Sequence, residues 1–435
     1  MLTRTRTTVL LALLAGLWLP SGNVGAADGA PVFVVTSAQT LAASPLREVP
    51  AQRVQDSLGT PLVLVEITAE QQHQLIDHVH EEESRCGGYF AFDSRAAAKA
   101  FLANENALVA TIAPARAAYV IDNQATVTPW LAQVNETGIR ATITHLSSYQ
   151  NRYYQSSHGY DAAVWIRDTW LALGQGRTDV SAELFTGCTT CSTQPSVILT
   201  VQGNELASEV VVIGAHLDSI RSGAGTNPEQ FAPGADDDAS GIATLTEVLR
   251  IAMARDWRPQ RTIKFMGYAA EEVGLRGSAA IAQRYATDSV NVVGVLQLDM
   301  TNYHDGVPYN FHLISDYSNA PLRAFSQSLF DHYLVPLGLA RRDLTCGYAC
   351  SDHASWTNNG FPAVMASEPG DATHDFFPYL HTQYDTLAQV GGTADASTVF
   401  ARFGLAFIGE LAKTSATGTW LFYDGFEASM PTGSP

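Results

Sequence analysis

The sequence predicts an α/β fold, a mostly parallel central sheet with helices on both faces, preceded by a small N-terminal unit. Three observations lead there. From about residue 130, short continuous apolar runs such as SVILTVQG, EVVVIGAH and VVGVLQLDM alternate with helical patterns. Strands buried on both faces lose the in–out alternation of a half-exposed sheet, and intervening helices supply the crossovers that parallel strands require. The composition, 46% hydrophobic and 16% charged over 435 residues, suits a chain that buries a large core.

The chain opens with MLTRTRTTVLLALLAGLWLPSGNVGA. Arg4 and Arg6 precede an apolar stretch from Val9 to Leu19, and Val24-Gly25-Ala26 is a small-residue cleavage pattern. Residues 1–26 therefore read as a secretory signal peptide. The apolar stretch is too short for a hydrocarbon layer of ~30 Å, so a membrane anchor is excluded. The expected location is secreted, extracellular or periplasmic. The formal net charge of −18 argues against nucleic acid or an anionic membrane as partner.

Residues 27–120 carry weak amphipathic segments such as ITAEQQHQLIDHVHEEESRCGGYFAF and read as a separate N-terminal unit, a pro-segment. His73, His78 and His80 stand beside Glu81 to Glu83; a metal site is conceivable, and a solvated helix face is the preferred reading. The main domain spans 121–414. Its reading begins with helices over TPWLAQVNETGIRATITHLSSYQNR and YDAAVWIRDTWLALG, then strands SVILTVQG and EVVVIGAH. A helix follows with Ile242, Leu245, Leu249 and Met253 on one stripe. RTIKFMGYA is a strand, GSAAIAQRYA a helix, and VVGVLQLDM and FHLISD are strands. PLRAFSQSLFDHYL is a helix, PAVMAS a strand, and Val399, Phe400, Phe403, Phe407 and Leu411 stripe a last helix. Residues 415–435 form a tail.

Export permits disulfides. Of five cysteines, Cys86 is left over, while Cys188/Cys191 and Cys346/Cys350 are close pairs. Cys188-Thr-Thr-Cys191 sits in a polar loop without a second matching pair, which favours a structural staple over a redox or metal role.

Ligands in such a sheet bind beyond the carboxyl ends of its strands. There the sequence delivers His216 and Asp218 after VVVIGAH, Glu271 and Glu272 after IKFMGYA, and Asp299 at the end of VVGVLQLDM. The loop APGADDDASG offers Asp236, Asp237 and Asp238, and PYLHTQYDT offers His381. Singly, each has an ordinary explanation as a cap or loop residue. Together, acids converging on one crevice repel unless a cation is present. Imidazole with carboxylate suits zinc, and the set is larger than one zinc needs.

The segments GAHLDS, APGADDDASGIA, GYAAEEVGLRGS, LQLDMTNY, CGYACSDHASW and HTQYDTL, in this order, resemble the bacterial secreted leucyl aminopeptidases of the two-zinc family. The resemblance covers roughly residues 122 to 413. It implies the phosphorylase/hydrolase-like fold of zinc peptidases and two Zn2+ per chain, one on His216 and Asp299, the other on Glu272 and His381, with Asp237 bridging. It further implies Glu271 as the general base towards zinc-bound hydroxide, Asp218 as the carboxylate orienting His216, and a cis Asp237–Asp238 bond. Met300, Ile314, Cys346, Tyr348, Cys350 and Met365 match a hydrophobic pocket for the first side chain, and Tyr348 matches a contact to the reacting oxygen. Cys346–Cys350 would be a disulfide beside that pocket. Ser367 departs from the bulky aromatics of relatives, which loosens the leucine preference. The expected substrates are peptides with a free N-terminus, the pro-segment acts as intramolecular chaperone or inhibitor, and the mature chain is a monomer. The alternative is another hydrolase, or a glutaminyl cyclase, on the same fold.

Overall fold

The computed structural model describes residues 31–55, 61–83, 87–108, 119–254, 257–369 and 376–416. The expected signal peptide, Cys86 and the tail beyond residue 416 lie outside them. Two sheets organise these residues. In the first, β1 (Val32–Ser37), β2 (Ala51–Gln55), β3 (Pro61–Ile67) and β4 (Tyr89–Phe92) pair in the order β2-β3-β1-β4, all antiparallel. With them go α1 (Ala38–Ala43), α2 (Ala69–Asp77) and α3 (Arg95–Leu108). Thr68 and Gln71 cap α2 reciprocally, side chain to backbone in both directions. A π-helical turn, His78–Glu82, extends its far end.

The second sheet follows α4 (Gln124–Leu131), α5 (Glu136–Leu146) and α6 (Ser157–Leu173). Its strands are β5 (Val180–Phe185), β6 (Ser196–Val201), β7 (Leu206–His216), β8 (Arg261–Tyr268), β9 (Asn291–Asp299), β10 (Phe311–Ile314), β11 (Arg341–Leu344) and β12 (Ala363–Ser367). Between and after them run α7 (Ala239–Ala254), α8 (Arg276–Thr287), α9 (Ala320–Tyr333), α10 (His353–Asn358) and α11 (Ser397–Ala412). The strand order is β11-β10-β12-β9-β7-β8-β6-β5. The central ribbon β12-β9-β7-β8 is parallel throughout, β10 and β11 are parallel to each other, and the remaining pairings are antiparallel. The α/β reading is therefore correct, with antiparallel strands flanking a parallel centre.

Both faces of the sheet are covered. Along β7, Val211 and Ile213 enter the core shared with α4, α5, α6, α7, α9 and α11, while Val210 and Val212 enter the core shared with α8 and Trp356 of α10. Alternate residues thus bury on opposite faces, which is why the strand reads as an unbroken apolar run. In β9 the alternation slips: Val293 and Leu296, three apart, face the same core, where the register against β7 jumps from Val292 to Gly294. The irregularity sets which face Asp299 meets at the strand end.

Three local readings change. The segment from Thr128 to Arg152 is two helices, because Asn135 caps a new start by accepting from the Thr137 amide at 2.9 Å. β5 and β11 escape a reading based on apolar runs because they are half-exposed edge strands. His73 and His80 are buried, contrary to the solvated face expected of them, because α2 packs against the main domain. Among the described residues no helix is long and apolar enough to cross a membrane.

Phe403 is fully buried, its ring 4.8 Å from that of Phe311 and 6.4 Å from that of Phe330. Phe403→Ala is expected to cost about 3–5 kcal/mol, seen as a lower urea midpoint in equilibrium unfolding.

Candidate metal centre

The parallel centre aligns the carboxyl ends of neighbouring strands. His216 closes β7 beside Tyr268 of β8, and Asp299 closes β9 beside Ser367 of β12. Beyond β8 the chain turns at Ala270, which has φ 55°, an uncommon value for a residue with a side chain. Met300 and His381 share this conformation at φ 56° and 52°. All three adjoin or belong to the site, where a rigid surround holds such backbone in place.

After that turn, the amides of Glu271 and Glu272 donate to the two oxygens of Asp218 at 3.0 and 3.3 Å. One Asp218 oxygen also lies 3.5 Å from His216 Nδ1. A single carboxylate therefore holds the amides of the acidic pair and lies beside the imidazole. Glu271 and Glu272 are adjacent, yet they reach different neighbours. Glu272 Oε2 sits 3.0 Å from His381 Nε2. Among the described residues neither carboxylate oxygen of Glu271 finds a hydrogen-bond partner.

Asp237 stands between the two imidazoles. Its Oδ1 is 2.8 Å from His216 Nε2, and its Oδ2 is 2.9 Å from His381 Nε2. Asp299 Oδ1 lies 3.6 Å from His216 Nε2. Two groups of ligating atoms result, His216 with Asp237 and Asp299, and Glu272 with His381 and His80; within each group all atoms lie within 4.8 Å of one another. The ring nitrogens of His216 and His381 make no hydrogen bond of normal geometry despite these short approaches. Lone pairs converging on a point rather than on one another are what a cation site presents. Two ligands on a tetrahedral zinc with ~2.0 Å bonds would sit about 3.3 Å apart, close to the separations seen. The residues present fit the metal.

The electrostatics ask for positive charge. Burial pulls the His381 imidazole down, but Glu272 and Asp237 outweigh it and push its pKa up to about 10. Burial and the neighbouring Asp237 carboxylate push Glu272 up to about 7, against the pull of His381. Burial drives Glu271 well above the carboxylate range, with Asp352, Asp299 and Glu272 adding to it and His216 opposing. Acids at this density in a dry pit are costly unless a cation is shared among them.

Several buried groups hold this loop framework, of which Asp385, Arg152 and Ser351 escaped the sequence reading. The Asp237–Asp238 peptide is cis, as the resemblance implied. Asp385 accepts from the amides of Asp236 and Asp237 at 2.8 and 3.1 Å. Asp238 accepts from the amides of His216, Gly241 and Met300 at 3.2, 2.8 and 3.2 Å. Arg152 is fully buried and donates to the carbonyls of Leu146, Leu217, Pro233 and Gly234 at 2.6 to 3.2 Å. Ser351 donates to Asp299. Asp385 lies four residues past His381 in the same loop, a proximity that could have flagged it; Arg152 gave no signal, since its acceptors are backbone carbonyls.

Met300, Ile314, Cys346, Tyr348, Cys350 and Met365 gather around one small cavity next to Asp299. Ser367, Phe376 and Leu380 complete its wall, so an aromatic ring from the loop stands near the serine. Cys346–Cys350 is a disulfide at this wall. Cys188–Cys191 is also a disulfide, but it lies away from the pit, in the apolar cluster joining Tyr153, Tyr154 and Ala269 to the N-terminal sheet.

The N-terminal unit roofs the pit. Val34, Val63, Leu75, Ile76, Val79 and Tyr89 share a core with Tyr153, Ile220, Ala269 and Val273. Gln72 donates to the Val273 carbonyl at 2.9 Å and accepts from Arg276 at 2.8 Å. Gly87 and Gly88 pass over Glu271 with φ 59° and 95°; a Cβ on Gly87 would meet a Glu271 oxygen at 3.4 Å. With this roof in place Glu271 is 0% exposed, Glu272 1% and His381 3%, so the acids and the imidazole lie beneath the surface.

The sequence model of peptidase family M28 matches residues 196–401. Leucine aminopeptidase 1 of Arthroderma otae is 36% identical over 297 residues, which span 65% of this chain and 76% of that protein. LapB from Legionella pneumophila superposes with a TM-score of 0.72 at 29% identity, over 88% of this chain and 99% of that structure. The LapA aminopeptidase of the same organism gives a TM-score of 0.70 at 26% identity, with the same shares of the two chains.

Asp385→Ala strips two buried amides of their acceptor, at about 1–3 kcal/mol each. It is expected to lower the urea midpoint and to weaken metal retention about 10–100-fold, the latter measured by competition with a chromogenic chelator.

Proposed function

Since the chain belongs to peptidase family M28 and is a zinc-dependent aminopeptidase, we propose that it is a secreted two-zinc enzyme of the bacterial leucyl aminopeptidase kind, which removes apolar first residues from peptides. The observation that carries this reading is Asp237, whose two oxygens face one imidazole each. A carboxylate so divided would serve both metal sites of a two-zinc centre. His216 and Asp299 would hold one ion, Glu272 and His381 the other.

When bound, zinc supplies Lewis-acid polarisation of the scissile carbonyl and acidifies water. The chain's own residues do the rest. Glu271 is held by its amide on Asp218 and leaves both oxygens unengaged, so it accepts the proton of the attacking water. It then delivers that proton to the departing amine as the C–N bond breaks. Asp218 keeps His216 in the tautomer whose Nε2 faces the pit. The cavity lined by Met300, Ile314, Tyr348 and Met365 takes the first side chain, and Phe376 with Leu380 favours a branched apolar one.

In this reading residues 1–26 are the signal peptide, 27–120 the pro-segment, 121–414 the mature monomeric catalytic domain, and 415–435 a tail. The burial of Glu271, Glu272 and His381 beneath the N-terminal unit supports this reading, in which removal of the roof precedes turnover.

After proteolytic release of the N-terminal unit, leucyl anilide hydrolysis is expected, abolished by chelator and restored by zinc, with close to two zinc per chain by elemental analysis. A count near one, or cleavage of N-terminally blocked peptides, would refute the two-zinc aminopeptidase. Glu271→Gln is expected to keep its zinc and lose about 10²–10⁴-fold in kcat, a steady-state measurement.

A further inference from the structure

We infer that His80, from the N-terminal unit, is itself a metal ligand: in the uncleaved chain its imidazole completes the Glu272/His381 site and closes it. This rests on the two-ion reading above.

Four observations converge. The ligating atoms of His80, Glu272 and His381 lie within 4.8 Å of one another, and all three residues are buried. The His80 ring lies against that of His381, with centroids 3.7 Å apart and planes 27° apart, which brings it to the site; the two rings would splay on binding one ion. His80 is only 7% exposed, yet among the described residues neither of its ring nitrogens finds a hydrogen-bond partner. Such a buried imidazole is expensive, and a metal bond is a direct way to satisfy it. Finally, His80 sits in the π-helical turn His78–Glu82. The wider turn takes it off the regular register of α2; turns of this kind recur where a side chain must be re-aimed.

Coordination chemistry gives the arrangement its meaning. The main domain offers this ion three residues: Glu272, His381 and the second oxygen of Asp237. Three protein ligands leave a tetrahedral zinc one open position, the signature of a catalytic site; four close it, the signature of a structural one. His80 is the fourth. The position it fills is the one that water and substrate need. The groove of about 980 Å³ outside the pit is lined by His80, Glu81, Tyr348, Phe377 and His381, so His80 stands between open solvent and the ion. Departure of the N-terminal unit then exchanges one imidazole for water at the zinc, with no change of charge or oxidation state on the chain. The ion would tie the pro-segment down and mark the site as inactive at once. A ring that merely packed on His381 would block access equally well, so the two roles are separated by spectroscopy and not by activity.

The test uses the full uncleaved chain loaded with zinc, followed by zinc-edge X-ray absorption before and after proteolytic release of the N-terminal unit. Loss of one imidazole per chain from the outer-shell scattering is expected on release; an unchanged imidazole count would overturn the assignment. His80→Phe keeps a stacked ring and removes the ligand. In the uncleaved variant one of the two ions should bind about 100-fold more weakly or worse, by chelator competition, while the other is unaffected. Equal retention of both ions in the variant would show a steric plug and sink the inference. If the uncleaved wild-type chain binds no second ion, the two-ion reading falls first and takes this one with it.

Discussion

The structure turns on one carboxylate serving two imidazoles. Asp237 turns one oxygen to His216 and the other to His381 in a dry pit, and Glu272 and Asp299 add further negative charge within a few ångströms. Such a cluster would spread apart or take up protons in isolation. It stays together because every strand or loop that contributes to it is pinned from behind. Asp218 holds the Glu271–Glu272 amides, Asp385 the Asp236–Asp237 amides, Asp238 the amides of His216 and Met300, and Arg152 the carbonyls of the surrounding loops. The buried acids are mostly acceptors for backbone donors, so the fold spends its polar contacts on placing a few side chains.

The N-terminal sheet belongs to the same logic. Its apolar residues merge with those of the main domain into a common core, and its glycines allow the backbone to pass close to Glu271. In the proposed reaction the roof therefore reaches both the carboxylate that would take the proton, Glu271, and, through His80, an imidazole that would bind metal, His381. If His80 ligates, the same ion that powers the reaction also holds the lid, and one proteolytic event would change the coordination number and the accessibility together.

The main elements were legible in the sequence because their physics is local. Apolar runs at strand length, stripes at helical spacing and polar or charged residues just past the strand ends are visible without coordinates, and they located His216, Asp218, Glu271, Glu272 and Asp299 in the right neighbourhood. Family resemblance, rather than spacing, assigned Asp237 and His381 their partners. What escaped was non-local. Edge strands β5 and β11 lack a distinctive pattern because none of their residues is fully buried. The break before Asn135 hides inside a continuous helical period. His80 looked like one charge-rich surface residue among several, since nothing in HVHEEE says which side of the turn another domain will cover.

The sequence by itself determined the fold class and the chemical nature of the groups at the sheet edge, because composition and periodicity bear directly on burial. Only the tertiary structure decided which carboxylate oxygen faces which imidazole, that Asp218, Asp385 and Arg152 hold the loops, and that an N-terminal histidine reaches the pit. Those facts depend on segments as much as 300 residues apart in the chain, His80 and His381 for instance, meeting in space. Such meetings are fixed by packing and register, which no local pattern records.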